Sequence, residues 1–275
     1  MALKVKIPLW LIWALCALLA VLLVVAALIP KGGAPEETAP ETTETTEATL
    51  PPPEGNPYGP LDFQYEGKYL SCLAGQSILG IDVSAHQQTV DWEKVAAAGV
   101  KFAMIRVGYR GYETGKLVED PYAQENYAGA KAAGLQVGAY LFSQAISVEE
   151  ALEEADFLLE RIENWALELP VVYDWEYVSK EARTGSADAR LVTDCTKAFC
   201  DAVAAAGYDP MVYFNRHQAQ DLLFLEELTA YPFWLAMYSD RMTYPYKVDM
   251  WQYTCEGTVP GIDGFVDVNL RFVYE

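Results

Sequence analysis

The sequence predicts an α/β fold, in which a largely parallel sheet of about eight strands closes into an irregular, TIM-like β/α barrel. One transmembrane helix and a disordered linker are expected to precede this barrel. The main observation is a pattern that occurs three times: two alanines and a glycine, ending at Gly99, Gly134 and Gly207, come shortly before an apolar run. Each copy is typical of a helix that ends at a glycine and is followed by a strand. The glycines lie 35 and 73 residues apart, close to one and two strand–helix units.

The first segment, residues 1–31, is expected to be a cytoplasmic tip and a transmembrane signal anchor. Residues 7–30 contain no charged side chain. An apolar run of about 20 residues spans a bilayer, whereas the apolar core of a cleavable signal peptide is roughly 7–15 residues long. Lys4 and Lys6 precede the run and acidic sequence follows it, which places the N-terminus in the cytoplasm and the rest of the chain outside the cell. A long signal peptide cut near residues 26–27 is the alternative.

Residues 32–60 form the second segment, which contains seven prolines, six threonines, six glutamates and no basic residue. Prolines and like charges extend a chain, and this composition offers almost no side chain to bury. We therefore expect a solvated spacer. Residues 61–275 follow as one domain, which is long enough to bury a core of its own.

Within residues 61–275, capping residues support the helices and apolar runs support the strands. Asp91 and Ser147 are the expected N-caps of the first and third helices. Three strands follow the helix-end glycines, and five more are expected at residues 80–83, 170–175, 233–237, 249–253 and 264–268. Helices become short or absent after about residue 230, so we expect the second half of the barrel to be irregular.

Composition excludes several classes of function. Residues 61–275 carry 16 basic and 33 acidic side chains, whereas a nucleic-acid partner needs clustered Lys and Arg. No glycine loop indicates a nucleotide cofactor, and no GxSxG elbow indicates a serine hydrolase. The four cysteines of this domain are too few for a disulfide scaffold, and none has metal-ligand spacing. A bond between Cys72 and Cys255 is possible. We expect a monomer without metal or cofactor.

Alternation along three strands brings acidic side chains to one face. Asp174 and Glu176 are two residues apart at a strand end, so both carboxylates project in the same direction, while Trp175 between them is expected to pack outward. The same alternation points Asp82 and Asp267 into the barrel, at the mouth where such folds place their active sites. Crowded carboxylates raise one another's pKa. One of them can then stay protonated as a general acid near neutral pH.

Aromatic side chains near the same strands suit a sugar ligand, because their faces stack on the apolar faces of pyranose rings. The expected substrate-binding residues are Tyr140, Tyr213, Tyr238 and Trp251, each on or beside a predicted strand. Aromatic residues also favour strands and cores in general. His86 follows the first strand closely enough to be near the site, where we expect a hydrogen-bonding role and not catalysis.

Together these motifs resemble those of the glycoside hydrolase family 25 muramidases, the lysozymes of the Chalaropsis type. The resemblance runs from about Leu79 to Val273 and rests on an ordered set: GIDVSAHQ with DW at 91–92, FAMIRVGYRG, GAYLFSQA, PVVYDWE, FWLAMY, MWQYT and GFVDVN. The resemblance implies an irregular β/α barrel enzyme that cleaves the β-1,4 bond after N-acetylmuramic acid. It also implies that the acidic cluster of this enzyme consists of Asp82, Asp174, Glu176 and Asp267. The chain departs from the family at Leu141, where His is frequent, and at Gln88, where Gly is frequent.

The resemblance implies that peptidoglycan glycan strands are the substrate. Glu176 is then expected to protonate the leaving oxygen and afterwards to activate water, while Asp174 orients the 2-acetamido group of the substrate for attack on the anomeric carbon. Asp82 and Asp267 are expected to tune this pair and to bind hydroxyls. The i, i+2 spacing does not separate retaining from inverting chemistry. The alternative, from another class of function, is a catalytically inactive glycan-binding module tethered to the membrane.

Overall fold

The computed structural model describes residues 50–274. The strands of this part of the chain are β1 (Phe63–Glu66), β2 (Tyr69–Cys72), β3 (Gln76–Val83), β4 (Phe102–Arg110), β5 (Leu117–Glu119), β6 (Gln136–Ser143), β7 (Val171–Trp175), β8 (Pro210–Asn215), β9 (Phe233–Ala236), β10 (Met250–Gly257) and β11 (Val266–Val273). Its α-helices are α1 (Trp92–Ala97), α2 (Ala123–Ala132), α3 (Val148–Ile162), α4 (Ala189–Ala205) and α5 (Arg216–Asp221). Short 3₁₀ helices lie at Ala85–Gln87 and Leu225–Glu227.

Eight strands close into a barrel in the order β3-β11-β10-β9-β8-β7-β6-β4, and the pairing of β3 with β4 completes the ring. Neighbouring strands are parallel except for β11, which runs antiparallel to both β10 and β3. An α-helix follows each barrel strand from β3 to β8, but within residues 50–274 none follows β9 or β10. β11 can follow β10 through a short connection because the two strands are antiparallel, whereas the parallel strands β9 and β10 are joined by the longer segment 237–249. The irregular, largely parallel barrel is therefore confirmed.

All eight predicted strands are present, and three short strands were not indicated by the sequence. β5 pairs antiparallel with the end of β4, and β1 and β2 form a separate hairpin. These strands are only three or four residues long, and most of their side chains are at least partly exposed to solvent. They therefore lack the apolar alternation that marks a strand in a sequence.

The last residues of the predicted linker pack against the barrel domain. The backbone N–H of Asn56 donates to the carbonyl of Pro245 at 2.8 Å, and that of Lys247 donates to the carbonyl of Glu54 at 2.8 Å. The ring of Tyr58 also lies near the aromatic rings at the end of β11. Asparagine and tyrosine supply contacts that a spacer of Pro, Thr and Glu lacks, so ordered structure begins before residue 61.

The predicted helix boundaries are confirmed. Asp91 caps α1 and Ser147 caps α3, each by accepting a hydrogen bond from the backbone N–H three residues later. Gly99, Gly134 and Gly207 follow the ends of α1, α2 and α4 with φ angles of 100°, 81° and 89°. Glycine adopts this left-handed conformation without the steric cost that a Cβ brings.

The barrel wall divides the core into an inner and an outer layer. In β7, Val172 belongs to the inner layer, whereas Tyr173 and Trp175 pack outward, as predicted for Trp175. The inner layer consists mainly of large apolar side chains, among them Phe102, Met104, Met211, Trp234 and Met250. The polar groups at the barrel mouth therefore lie on an apolar floor, which limits their access to water.

No helix within residues 50–274 is long and apolar enough to cross a membrane. The anchor predicted over residues 1–31 and most of the predicted linker lie outside the described residues. Both stay predictions.

Candidate active site

Four carboxylates meet at the mouth of the barrel. Asp82 on β3 and Asp267 on β11 are directly opposed across this antiparallel strand pair. Asp174 lies near the end of β7, and Glu176 immediately follows that strand. All four line one cavity of about 310 Å³, which we call the acid cavity. The structure thus brings together the four acids that strand alternation selected.

Two side-chain amides hold the carboxylate of Asp82. Gln252 Nε2 and Asn269 Nδ2 each donate a hydrogen bond to Asp82 Oδ2 at 2.8 Å. Asn269 Oδ1 in turn accepts a hydrogen bond from the indole of Trp234 at 2.8 Å, which orients the amide. Burial raises the pKa of Asp82 to about 6, although both amide hydrogen bonds favour the ionised form. Asp82 is therefore the acid of this cavity that ionises most readily.

Sequence reasoning did not identify Gln252 and Asn269 as site residues. Both carry a signal that could have found them, because each is an amide with an apolar or aromatic residue on either side of it in its strand. Asn269 also lies two residues after Asp267 and so shares its face of β11. Gln252 Oε1 accepts hydrogen bonds from the hydroxyls of Tyr213 and Tyr238, each at 3.2 Å. These bonds orient its amide nitrogen towards the acids.

Asp174 and Glu176 form a coupled pair. The pKa of Glu176 is raised to about 7 by burial and then by the charge of Asp82, against a hydrogen bond with Asp174 that lowers it. The pKa of Asp174 is raised well above its usual value, by burial and then by the charges of Glu176 and Asp82. Asp174 Oδ1 is buried and has no hydrogen-bond partner within residues 50–274. The pair therefore holds a proton near neutral pH, and one of its oxygens is free to accept a bond from a substrate.

Little positive charge offsets these acids. Burial and then the charge of Asp82 raise the pKa of Asp267 to about 8. Arg106 lines the acid cavity and lowers the pKa of Asp174, but burial and the neighbouring carboxylates outweigh it. The guanidinium Nε of Arg106 is bound to Asp120 Oδ2 at 2.9 Å. Arg106 is thus already paired with a buried carboxylate.

Two buried glutamines hold the backbone around Glu176. Gln144, which follows β6, donates from Nε2 to the carbonyl of Glu176, and Gln218 on α5 donates to the carbonyl of Trp175. Gln144 is fully buried, and its Oε1 accepts a hydrogen bond from the hydroxyl of Thr184 at 3.0 Å. Glu176 lies just beyond the last residue of β7. These side-chain hydrogen bonds fix the backbone at Glu176, beyond the end of β7.

Three of the four predicted aromatic residues line the acid cavity: Tyr140, Tyr213 and Tyr238. The first two are buried, whereas Tyr238 is 58% exposed and presents its ring to a ligand. The prediction for Trp251 is wrong. Its side chain is fully buried in the outer layer, and its indole donates to the carbonyl of Met237 at 2.8 Å.

The two histidines of the chain occupy different environments. His86 lines the acid cavity, as its position after β3 predicted. His217 is an exposed residue of α5, with Nδ1 2.8 Å from a carboxylate oxygen of Asp221. The described cysteines are all free thiols, so Cys72 and Cys255 are not bonded to each other.

A second cavity, of about 700 Å³, adjoins the acid cavity. Glu176, Tyr213 and Tyr238 line both cavities. The other lining residues of the second cavity, which we call the Arg216 cavity, are Asn215, Arg216, His217, Ala236, Met237, Ser239 and Thr243. The two cavities form one cleft with Glu176 between them. This arrangement suits a chain-like ligand that extends to both sides of the carboxyl group.

Known proteins resemble this chain in sequence and in fold. Residues 81–262 match the family model of the glycosyl hydrolases family 25. The chain is 28% identical over 208 residues to YegX, an uncharacterized protein of Escherichia coli K12, with 72% of this chain and 70% of YegX covered. It is 26% identical over 212 residues to lysozyme M1 of Streptomyces globisporus, with 70% of this chain and 67% of that protein covered.

Among solved structures, the modular autolysin LytC from Streptococcus pneumoniae, in complex with a synthetic peptidoglycan ligand, superposes with a TM-score of 0.63 at 28% identity. The match covers 72% of this chain and 47% of LytC, so the chain spans about half the length of that protein. The family model matches well over half of the chain, and it includes three of the four clustered acids. The chain therefore belongs to the glycosyl hydrolases of family 25 and is a glycoside hydrolase.

Proposed function

We propose that this protein is a muramidase, which hydrolyses the β-1,4 bond between N-acetylmuramic acid and N-acetylglucosamine in peptidoglycan. The observation that carries the proposal is the position of Glu176, a partly buried acid with a raised pKa that lines both cavities of one cleft. A carboxyl group there can protonate a glycosidic oxygen while sugars lie on both sides of the bond. The similarity to a lysozyme and to an autolysin that binds a peptidoglycan ligand supports the choice of substrate.

Glu176 acts as the general acid and then as the general base. It gives its proton to the leaving oxygen as the oxygen of the substrate's own 2-acetamido group attacks the anomeric carbon. The bond to the leaving sugar breaks, and a cyclic oxazolinium ion forms. The Glu176 carboxylate then removes a proton from water, whose oxygen attacks the anomeric carbon and opens the ring. The raised pKa of Glu176, about 7, keeps a large share of this carboxyl group protonated at neutral pH.

Asp174 orients the acetamido group. Its Oδ1 is buried and has no partner within residues 50–274, so an acetamido N–H can donate to it without displacing another bond. The attack is intramolecular because this group belongs to the sugar that is attacked, and holding it in line with the anomeric carbon keeps it in the reactive conformation. Asp82 and Asp267 complete the cluster. They raise the pKa values of their neighbours and offer oxygens to the sugar hydroxyls.

Replacing Glu176 by Gln tests the proposal. The general-acid step contributes about 10²–10⁴-fold, so E176Q should lose at least a hundredfold in the release of reducing ends from purified cell walls. Mass spectrometry of the wild-type digest should show N-acetylmuramic acid at the new reducing ends. E176Q activity equal to that of the wild type would exclude Glu176 as the acid. Wild-type protein that binds walls without releasing reducing ends would instead be the inactive glycan-binding module.

We propose that the N-terminal segment holds this activity at the outer face of the cell membrane. The charge-free run over residues 7–30, with lysines before it and acids after it, is proposed to anchor the chain in the cell membrane with the catalytic domain on the cell-wall side. Protease treatment of intact cells whose wall has been removed tests this. The domain should be cleaved while a tag at the N-terminus stays protected, and a protected domain would contradict the proposal.

A further inference from the structure

The Arg216 cavity contains a guanidinium group with unused hydrogen-bond donors. Within residues 50–274, only two of the eight arginines, Arg216 and Arg271, have no carboxylate partner in an ion pair. Arg271 lies on β11 and donates to Gln136, away from the cleft. The polar contact of Arg216 is with the hydroxyl of Thr243, at 3.5 Å. The exposed guanidinium of Arg216 therefore has donors available to an anionic ligand, in a chain whose net charge is −20.

The backbone at Arg216 is held in a fixed relation to Glu176. Asn215 and Gln218 exchange hydrogen bonds at 2.9 and 3.0 Å across the first turn of α5, which contains Arg216. The amide nitrogen of the same Gln218 donates to the carbonyl of Trp175, next to Glu176. One buried side chain therefore connects the turn that carries Arg216 to the strand end that carries the proposed acid.

The chemistry of the proposed substrate supplies an anion. Each muramoyl unit carries a lactyl ether, whose carboxyl group is a free carboxylate when no peptide is attached. When a stem peptide is attached, the lactyl carboxyl is an amide, and the peptide brings carboxylates of its own. N-acetylglucosamine has neither group. A guanidinium group binds a carboxylate through two parallel N–H···O bonds, which gives both affinity and orientation.

We propose that Arg216 binds a carboxylate carried by a muramoyl unit of the glycan strand, and that the Arg216 cavity is the part of the cleft that recognises this group. The inference rests on the muramidase function proposed above and adds a specificity-determining residue to it. Arg216 then distinguishes strands that carry muramoyl units from strands of N-acetylglucosamine alone. Its partner is either the lactyl carboxylate or a carboxylate of the stem peptide.

Arg216→Gln, compared with the wild type and with Arg241→Gln, tests the proposal. Arg241 is a matched control, because it is an exposed arginine in the loop after β9 and does not line either cavity. Three substrates separate the two sources of the anion. Peptide-bearing strands carry only stem-peptide carboxylates, and strands whose peptides an amidase has removed carry only lactyl carboxylates. The third substrate is the amidase-treated strand with its lactyl carboxylates converted to methyl amides. The readouts are kcat/KM for reducing-end release and, in parallel, the Kd of each strand.

We expect R216Q to lose about tenfold in kcat/KM and in affinity on one of the two charged substrates, and R241Q to stay at the wild-type level. A loss confined to amidase-treated strands would identify the lactyl carboxylate as the partner of Arg216. A loss confined to peptide-bearing strands would identify a carboxylate of the stem peptide. On the methyl-amide strands R216Q and R241Q should be equal. Equal values for both variants on every substrate would overturn the inference. If the wild type releases no reducing ends, the muramidase proposal fails, and the Kd values still decide the role of Arg216.

Discussion

Replacing Asp267 by Asn should stabilise the domain increasingly as the pH rises above 5. Asp267 faces Asp82 across the β3–β11 pair, and burial together with that charge raises its pKa from 3.8 to about 8. Asparagine has nearly the shape of the protonated carboxyl group and has no charge to desolvate. The substitution therefore removes the cost of ionising this residue inside the cluster and changes little at low pH.

The sign and the size of the effect follow from proton linkage. The folded state binds the Asp267 proton more tightly than the unfolded state does, because the folded pKa is the higher one. The stabilisation from this proton is complete below the unfolded value of 3.8 and is lost as the pH rises towards about 8. Between these limits the two states differ by about one proton, so stability falls by about 1.4 kcal/mol per pH unit. D267N should gain about 2–3 kcal/mol over the wild type between pH 5 and pH 7.

Urea unfolding followed by tryptophan fluorescence at pH 5, 6 and 7, at constant ionic strength, measures this difference. Asp263→Asn is the matched control, because Asp263 is exposed in the loop before β11. Its free energy of unfolding relative to the wild type should stay constant over the same pH range. A constant difference between D267N and the wild type would refute the reasoning that Asp267 is a partly buried acid that holds its proton.

Three further predictions concern Gln88, Trp251 and Tyr238. Gln88 is the one described residue other than glycine with a positive φ, at 54°. Such backbone strain costs about 1–3 kcal/mol. Gln88→Gly should therefore raise the Tm by about 2–6 °C. Gln88→Ala should not, since alanine keeps the Cβ, and equal melting temperatures for both variants would contradict this explanation. Trp251→Ala should destabilise the domain by about 3–5 kcal/mol, because the fully buried ring leaves a cavity. Tyr238→Ala should instead raise KM with little change in Tm. If melting and kinetic assays showed a large loss of Tm for Tyr238→Ala and a raised KM with an unchanged Tm for Trp251→Ala, the assignment of these two residues would be wrong.

Local patterns in the sequence were enough to predict much of the barrel. The three helix-end glycines, the caps at Asp91 and Ser147 and the eight apolar runs all depend on backbone sterics and hydrogen bonds within a few residues. The gathering of the four acids also followed from a local rule, because alternate side chains of a strand point to opposite faces. In these strands the acidic residues themselves mark the face that points into the barrel.

The same rule did not place Trp251. Strands of a parallel barrel are buried on both faces, so both sets of alternate residues are apolar and either can be the inner one. Only the closed sheet shows that Trp251 packs in the outer layer and Gln252 points inward.

The sequence by itself determined the fold class, the family resemblance and the acids that the barrel brings together, because these depend on short-range periodicity and on ordered motifs. Tertiary structure alone decided which groups hold those acids. Asn269 and Gln252 bond to Asp82 from 187 and 170 residues away, and Gln144 reaches the carbonyl of Glu176 from a different strand end. The pKa shifts at the mouth depend on burial and on these distant partners together. They exist only once the barrel has closed, because closure is what removes the carboxyl groups from water and sets the distances between them.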